Sequence, residues 1–282
     1  MSIGLTKKRP ISGVGIGLRH QHYEEIFATE PAIPWFEVLT DNFMGTGGLP
    51  IHYLSRIAAR YPIVMHSVGL SIGSTDPLDQ VYLAELKALK ECYHPAWLSE
   101  HLCWTSVHGN HFHDLMPLPY TDEVVTHVAE RIRQVQDFFG EQILIENVSS
   151  YLNFRDSTLT EWDFVTAVAS AADCYLLLDI NNIYVSSQNH QFDPMAYLSG
   201  IPVDRVKQFH LAGFEDYGSH LLDSHSRPIA DDVWTLYRSA LKRFGPVPGL
   251  IEWDAEIPPL DVLLAEVEKA EGCMRDCCDI AA

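Results

Sequence analysis

Side chains that bind divalent metals follow a series of apolar segments in this sequence, each close to the point where the segment ends. They are His66, Glu100, His101, Glu146, Asn147, Asp179, Asn181, Asn182, His210, Glu252 and Asp254, with Glu37, Asp41 and Asn42 near the end of a further segment. Carboxylates buried together need compensation, since each uncompensated charge in a protein interior costs several kcal/mol. Divalent cations supply it, and a mixture of carboxylate and imidazole suits iron, manganese or zinc better than calcium.

The number of these side chains predicts more than one ion. Roughly nine candidate ligands exceed the four to six positions around a single ion, so we expect two or three ions bridged by a carboxylate such as Glu146. A later segment, LLDSHSRPI, adds Asp223 and His225, which lie two residues apart. In an extended backbone such a pair projects to the same side, which is a chelating arrangement.

The elements that must position these groups alternate along the chain. Apolar segments occur at 13–19, 35–39, 62–68, 97–104, 143–148, 174–180, 206–212 and 249–253, and amphipathic helical patterns occur at 51–61, 78–93, 122–140, 161–172 and 231–245. Asp122 and Thr160 are expected to cap helices. Strands that alternate with helices pair in parallel, and eight such units close a (β/α)8 barrel.

We therefore predict an α/β fold with one TIM-barrel domain over residues 1–282. The barrel core covers about 11–260, and a C-terminal helix and tail cover 261–282. Two polar stretches, 108–120 and 181–205, are expected to be loops over one barrel face. Because the carboxyl ends of the strands meet at one rim of such a barrel, the metal-binding side chains should converge there.

Each of these residues also has a structural interpretation. His66, His101 and His210 could be core histidines bonded to the backbone, and Glu146 with Asn147 could cap the next helix. The occurrence of all three histidines at strand ends favours the metal interpretation. The cluster His108–His113 is expected to be an exposed loop, with a secondary metal-binding or substrate-binding loop as the alternative. Three alternate glycines at 13–17 lie inside the first strand with no helix opening at the right offset, which argues against a dinucleotide site.

Composition limits the partners and the compartment. The chain has 282 residues, 19 Lys and Arg, 38 Asp and Glu, and a formal net charge of -19. This charge repels nucleic-acid phosphates and anionic lipid. The sequence has neither a membrane-spanning apolar run nor an export signal, so we expect a cytoplasmic protein. Six scattered cysteines are then expected to be reduced thiols, and the tail of Cys273, Cys277 and Cys278 lacks a second ligand pair.

The motifs together resemble a known family. GVGIGLRHQHYEEI, PIVMHSVGLSIG, WLSEHLCW, ILIENVSSY, LLLDINNIYVSS, QFHLAGF, LLDSHSRPI and LIEWD, in this order from about residue 11 to 260, are similar to those of the multinuclear non-haem iron-dependent oxidative enzymes. This group contains the methanobactin-biosynthesis oxidase. The resemblance implies a xylose-isomerase-like barrel with two or three iron ions at its rim, for which manganese or zinc are possible substitutes.

The resemblance also implies an activity, partners and site residues. The activity is the O2-dependent modification of cysteine or a nearby residue in a ribosomally made precursor peptide, often with a separate peptide-recognition protein. The metal positions fall on His66, His101, Glu146, Asp179, Asn182, His210, Asp223, His225 and Glu252. Asp254, two residues beyond Glu252 and on the same strand face, is our candidate for an acid–base group near the substrate, and Asn182 is expected to be a weak ligand that leaves its ion accessible. Asp41 and Asn42 replace the family's usual Glu-Asn pair.

Two other functions fit the same residues. Similar barrels with His, Glu and Asp ligands host divalent-metal-dependent sugar isomerases and endonuclease-type hydrolases. The acidic charge argues against a nuclease, and no strand end carries the lysine that sugar isomerases usually place near the substrate, since Lys207 begins its strand. A metal-binding or storage module is the third possibility, because fourteen histidines and an acidic surface could sequester ions.

Overall fold

The structure is a computed structural model that describes residues 8–45 and 47–281, with side chains up to residue 277. Its strands, in chain order, are β1 (Val14–Gly17), β2 (Phe36–Leu39), β3 (Ile63–Ser67), β4 (Leu98–His101), β5 (Trp104–Val107), β6 (Asn110–Met116), β7 (Leu144–Glu146), β8 (Tyr175–Asp179), β9 (Val206–Leu211), β10 (Glu215–Asp216), β11 (Leu221–Leu222) and β12 (Gly249–Ile251). Eight of them, β1–β4, β7–β9 and β12, form a closed parallel barrel in chain order. The predicted (β/α)8 barrel is therefore confirmed.

Helices surround the barrel and end where the sequence supplies caps. They are α1 (Tyr23–Thr29), α2 (Leu49–Arg60), α3 (Gln80–Tyr93), α4 (Asp122–Phe139), α5 (Glu161–Ala172), α6 (Ile180–His190), α7 (Pro194–Gly200), α8 (Asp231–Phe244) and α9 (Leu260–Ala281). Thr160 caps α5 as expected, accepting from the Asp163 N–H at 3.2 Å. The cap of α4 is Thr121, so the prediction of Asp122 was one residue late. Gly140 ends α4 in the left-handed conformation.

The floor of the barrel interior is apolar. Trp35, Val64 and Leu250 form a fully buried cluster at the amino-terminal end of the strands. Gly15 lies against this cluster, and a Cβ at this position would come within 2.5 Å of the Trp35 ring. Gly15 therefore makes room for an indole, and packing accounts for this glycine.

Both stretches expected to be loops contain regular structure. Residues 108–120 include most of a β-hairpin, in which β5 and β6 pair antiparallel around His108 and Gly109. Residues 181–205 include most of α6, all of α7 and a short 3-10 helix. The polar residues of α6 misled the prediction, because Asn181, Asn182, Ser186 and Ser187 are buried beside the barrel rim. Their polarity reflects buried hydrogen bonds, whereas a loop would expose them to solvent.

The C-terminal helix α9 packs on the outside of β1, β12 and α8. Cys273 is buried there, with Arg238 Nη1 3.8 Å from its Sγ, and Cys277 is half-buried. The Cys278 side chain lies outside the described residues. Among the side chains that the structure describes, the tail belongs to no group of metal ligands.

Within the described part of the chain, none of the helices has the length and apolar content needed to cross a membrane.

Candidate metal centre

The expected metal-binding side chains meet at the carboxyl-terminal rim of the barrel. Neighbouring strands bring them together in pairs: His101 on β4 lies opposite Glu146 on β7, and Asp179 on β8 lies opposite His210 on β9. Three groups of side chains have ligand atoms within 4.8 Å of one another. The groups are His66, His101 and Glu146; Glu146, Asp179, His210 and Glu252; and His225, Glu252 and Asp254.

The first group is built on two imidazoles and one carboxylate. The Nε2 atoms of His66 and His101 are 3.1 Å apart, and Glu146 Oε2 lies 3.1 and 3.4 Å from them. Ligand atoms that each lie about 2.1 Å from one ion are separated by roughly this distance. The other ring nitrogens are held from behind, His66 Nδ1 by Ser99 Oγ at 2.7 Å and His101 Nδ1 by the Ser67 carbonyl at 3.2 Å. Both Nε2 atoms therefore point at one place.

The second group shares Glu146 with the first. Its other oxygen, Oε1, lies 3.2 Å from His210 Nδ1, which in turn lies 2.9 Å from Glu252 Oε2. His210 Nε2 contacts Glu37 Oε2 at 3.0 Å, so the ring is oriented through its second nitrogen. Glu146 thus offers one oxygen to each group, which is the arrangement of a bridging carboxylate.

The third group centres on His225. Its Nε2 lies 2.7 Å from Asp223 Oδ1 and 3.7 Å from Asp179 Oδ2, while its Nδ1 lies 3.0 Å from Asp254 Oδ2 and 3.3 Å from Glu252 Oε2. Nδ1 has Asp254 as a hydrogen-bond partner and Nε2 has none, so Nε2 is the nitrogen available to an ion. His225 has a left-handed backbone with φ of 45°. The pair Asp223 and His225 therefore meets through a turn, and the expected extended backbone was wrong.

Asp254 was expected to share a strand face with Glu252. The strand β12 ends at Ile251, so both acidic residues lie beyond it. Asp254 lies between two basic side chains. One carboxylate oxygen faces His225 Nδ1, and the other accepts from the guanidinium of Arg19. The side chain of Asp254 is nevertheless 44% exposed, unlike the buried carboxylates around it.

The start of α6 contains two buried oxygens without a hydrogen-bond partner, on Asp179 and Asn182. Asp179 caps this helix, with Oδ1 accepting from the Asn182 N–H at 2.7 Å, which leaves Oδ2 free. The Asn182 Nδ2 donates to the Asn147 carbonyl at 3.1 Å, which leaves Oδ1 free. The step from β8 into α6 therefore leaves one carboxylate oxygen and one amide oxygen unpartnered at the rim, and Asn182 lines the cavity there.

Several buried atoms at the centre have no hydrogen-bond partner among the described residues. They are Glu146 Oε2, Asp179 Oδ2, Asn182 Oδ1, His210 Nδ1 and His225 Nε2. Buried polar atoms are nearly always partnered, so a cluster of unpartnered atoms facing each other needs an explanation. Cations within the cluster would supply it, since carboxylate, amide and imidazole atoms are all metal ligands. The donor set therefore fits iron, manganese or zinc.

The electrostatics agree with this fit. Burial alone would raise the pKa of Glu146, but His210, His101 and His66 hold that pKa below its usual range. Burial alone would lower the pKa of His101, but Glu146, Glu100 and Glu252 raise it to about 9. For Asp179, burial raises the pKa well above its usual range despite His225. The cluster attracts positive charge, and bound cations would replace protons on its histidines.

Some of the residues singled out in the sequence do not face the centre. Glu100 accepts from Ser67 Oγ and the Leu70 N–H, both at 3.0 Å, and fixes the loop after β3. The Asn147 side-chain amide donates to the Asp179 carbonyl and accepts from the Asp179 N–H. Asn181 donates to Asp223 Oδ1 at 2.7 Å. Asp41 accepts from Tyr82 Oη at 3.0 Å. These groups build the rim and contribute no atom to the three ligand groups.

A cavity of about 580 Å3 opens directly above the centre. The ligand groups form the base of this cavity, and Ser149 and Tyr151 form one of its walls. The hairpin residues His111–Leu115 form another wall; their position over the barrel face was expected, and their strand structure was not. The available signal was the alternation of His111 and His113, which is typical of a strand with one face toward a site.

Fold and site together define a TIM-barrel protein whose carboxyl-terminal rim could hold metal ions. The whole barrel matches the model of the "RiPP precursor modification enzyme MbnB/TglH/ChrH" over residues 13–275. The chain therefore belongs to this family of RiPP precursor modification enzymes, and the resemblance seen in the sequence is confirmed.

Proteins similar to this chain are found among both sequence relatives and solved structures. A UPF0276 protein of Acaryochloris marina is 56% identical over 261 residues, which cover 93% of this chain and 94% of the relative. Endonuclease IV from Thermus thermophilus matches with a TM-score of 0.60 at 14% identity, covering 93% of this chain and 98% of that one. A xylose isomerase domain containing protein from Salmonella typhimurium matches with a TM-score of 0.57 at 14% identity, covering 96% of this chain and 98% of that one. The two structural matches establish a shared fold.

Proposed function

We propose that the protein is a multinuclear iron-dependent, O2-using oxidase that modifies a cysteine, or a residue beside it, in a ribosomally made precursor peptide. The observation that carries this proposal is the sharing of Glu146 and Glu252 among three groups of potential ligands. Shared carboxylates hold ions a few ångströms apart, as in sites where two metals act on one substrate. Family membership supports the peptide substrate.

The ligand groups suggest an assignment for each ion. One ion would be held by His66, His101 and Glu146, a second by Glu146, Asp179, His210 and Glu252, and a third by His225 Nε2 with Asp223 and Asp179 beside it, with Asn182 as a weak neutral ligand. Iron would supply the redox chemistry with O2, and manganese or zinc are possible substitutes. Glu37, Ser99 and Asp254 hold the far nitrogens of three of the histidines and fix their orientation.

Asp254 is the proposed acid–base group. It lines the cavity and is the most exposed of the acidic residues around the three groups. Arg19 and His225 fix the position of its carboxylate. A substrate thiol that enters the cavity could pass its proton to this carboxylate, because thiolates are the form that binds metals.

The cavity lining favours a peptide over a sugar. Within the described part of the chain, no lysine lines the cavity, whereas a sugar isomerase usually has one near its substrate. The cavity is also lined by residues of the strand β6 and by an exposed tyrosine, Tyr151. An extended chain fits along such a lining better than a small polyol that must be enclosed.

The partners follow from the same proposal. The substrate is a precursor peptide, and we expect a separate peptide-recognition protein to deliver it. The reaction would take place in the cytoplasm, where such peptides are made. The net charge of -19 argues against a nucleic-acid partner.

The direct test loads the full-length protein with ferrous iron under argon and then adds air and a precursor peptide. The substrates to use are synthetic peptides that correspond to any short cysteine-containing reading frames found beside the gene. A change in peptide mass that requires iron, O2 and the enzyme supports the proposal. An unchanged mass with these peptides would contradict it. Glu146→Gln is the matched variant, because it keeps the size of the shared ligand and removes its charge.

A further inference from the structure

The hairpin over the cavity has one covered edge and one open edge. Its two strands form a sheet of their own, so each has an edge without a neighbouring strand. The β5 edge is covered by Ser71, whose Oγ accepts from the N–H groups of Thr105 and Ser106 at 2.9 and 3.1 Å. The edge of β6 lies on the other side of the hairpin, toward the cavity.

The hairpin register shows which backbone groups of β6 point outward. Val107 and Asn110 close a two-residue turn in which His108 and Gly109 both have positive φ. Such a turn makes Val107 and Asn110 a hydrogen-bonded pair, so the next pair, Ser106 and His111, directs its N–H and C=O groups outward. The contact of the Ser106 N–H with Ser71 agrees with this orientation. His111 therefore presents a free donor and acceptor on the open edge.

The shape of β6 turns this edge toward the cavity. Residues 111–115 all line the cavity, although side chains of a flat strand alternate between its two faces. Five consecutive lining residues mean that the strand lies edge-on to the cavity. The hairpin register skips residues 112–115 in a bulge, which twists the strand in this way. Phe112 packs edge-on against Trp104, with ring centroids 5.3 Å apart, and steadies the bulge.

We propose that the open edge of β6 binds the substrate peptide as an added β-strand and holds its cysteine over the metal centre. This inference rests on the proposed function, which supplies an unfolded peptide as substrate. An open strand edge recognises main chain of any sequence, and its specificity comes from pockets for alternate side chains. The open edge borders the cavity that has His101 and Glu146 at its base. A peptide strand paired with this edge would therefore lie beside the metal centre.

The first experiment locates binding on the backbone of His111. Short random peptides with a central cysteine, and the same library with serine, are selected on the full-length, iron-loaded protein under argon. His111→Pro removes the outward N–H, whereas His111→Ala keeps it and removes the same side chain. We expect His111→Pro to lose about fivefold more affinity for the selected peptides than His111→Ala does. Thermal unfolding of both variants checks that the barrel is intact.

The second experiment does not depend on the folding of a variant. A selected peptide is resynthesised with single N-methyl groups at successive backbone amides, and binding to the wild-type protein is measured. A peptide bound as an edge strand uses every second amide on one side, so affinity should fall at alternate positions. Loss at every position, or at none, would overturn the inference.

The outcomes separate the inference from the proposed function. Enrichment of cysteine over serine peptides, with no alternation and no difference between the His111 variants, rejects the strand and leaves the oxidase proposal in place. Alternating N-methyl sensitivity with equal enrichment of serine peptides keeps the strand and counts against cysteine as the modified residue. Failure to select any peptide rejects the strand, while the iron and O2 experiment tests the oxidase independently.

Discussion

The apolar floor of the barrel interior and the barrel mouth, which is the carboxyl-terminal rim with the metal-binding side chains, are made by the same strands. They differ in polarity and in charge. On β3, Val64 belongs to the apolar floor and His66, two residues later, belongs to the metal centre. A similar step occurs at the end of β12, from Leu250 within the strand to Glu252 just beyond it. Residues two apart share one face of a strand, so the interior changes from apolar to ionisable within one layer.

This contrast assigns separate tasks to the two ends. The floor buries largely apolar surface and no ionisable group, and it contributes to stability. The mouth gathers buried carboxylates and imidazoles that repel or protonate one another unless cations are present. Stability and chemistry should therefore respond to different substitutions.

The largest effect is expected from Glu146→Gln at the mouth. Loss of the shared carboxylate should reduce bound iron and lower peptide-modifying activity by roughly a hundredfold or more. Mutation of residues that only orient metal ligands already lowers metal affinity or activity by about 10- to 100-fold. Metal analysis and peptide mass spectrometry measure the two effects. A variant that retains the full iron content of the wild type would show that Glu146 does not bridge ions.

Leu250→Ala makes the complementary change at the floor. It opens a cavity beside Trp35 and Val64, and should lower the free energy of unfolding by about 2–5 kcal/mol. Denaturant unfolding measures this effect, and the iron content of the protein that remains folded should equal that of the wild type. If iron were lost in proportion to stability, the two ends could not be treated as separate.

A buried carboxylate outside the centre provides a third test. Burial raises the pKa of Glu161 to about 7, more than the nearby Tyr197 and Tyr120 hydroxyls lower it. Because its folded pKa exceeds the unfolded value of 4.5, protonation favours the folded state, and this stability is lost as pH rises from 4.5 to 7. Between pH 4.5 and 7, the free energy of unfolding of the wild type should fall by roughly 2–3 kcal/mol more than that of Glu161→Gln.

Unfolding titrations at several pH values measure the Glu161 effect. Glu268→Gln, which removes an exposed carboxylate on α9, is the matched control and should keep the wild-type slope. Equal slopes for the wild type and Glu161→Gln would mean that Glu161 is ionised throughout. In that case a buried carboxylate without a histidine partner would be tolerated in this barrel, and the contrast with the mouth would weaken.

The smallest effect is expected from Cys277→Ser. The thiol is half-buried on α9 and lies in no group of metal ligands among the described side chains. Iron content and activity should stay at wild-type values, as measured by metal analysis and peptide turnover. A drop in iron content would give the cysteine tail a role in metal handling and would end the restriction of metal chemistry to the mouth.

The sequence predicted the elements whose pattern is regular. Strands such as Tyr175–Asp179 are apolar runs that end in an ionisable residue, and the barrel geometry then brings those ends together. The placement of His66, His101, Glu146 and His210 at one rim could be predicted because it depends only on strand direction.

The hairpin and α6 could not be predicted in the same way. The polar residues of α6 are buried by tertiary contacts that a single sequence does not show, as with Asn182 and the Asn147 carbonyl. The bulge of β6 and the turn at His225 are local departures from regular backbone, and they place side chains that strand periodicity assigns elsewhere. The partner of each histidine, such as Glu37 for His210, also depends on which strands become neighbours.

The central claim is that several ions sit around shared carboxylates at the barrel mouth. Crystals of iron-replete protein, with diffraction data collected on both sides of the iron absorption edge, test it most directly. The account predicts two or three iron peaks, with Glu146 between two of them and His66, His101, His210 and His225 as ligands. A single peak, or peaks away from these side chains, would contradict it.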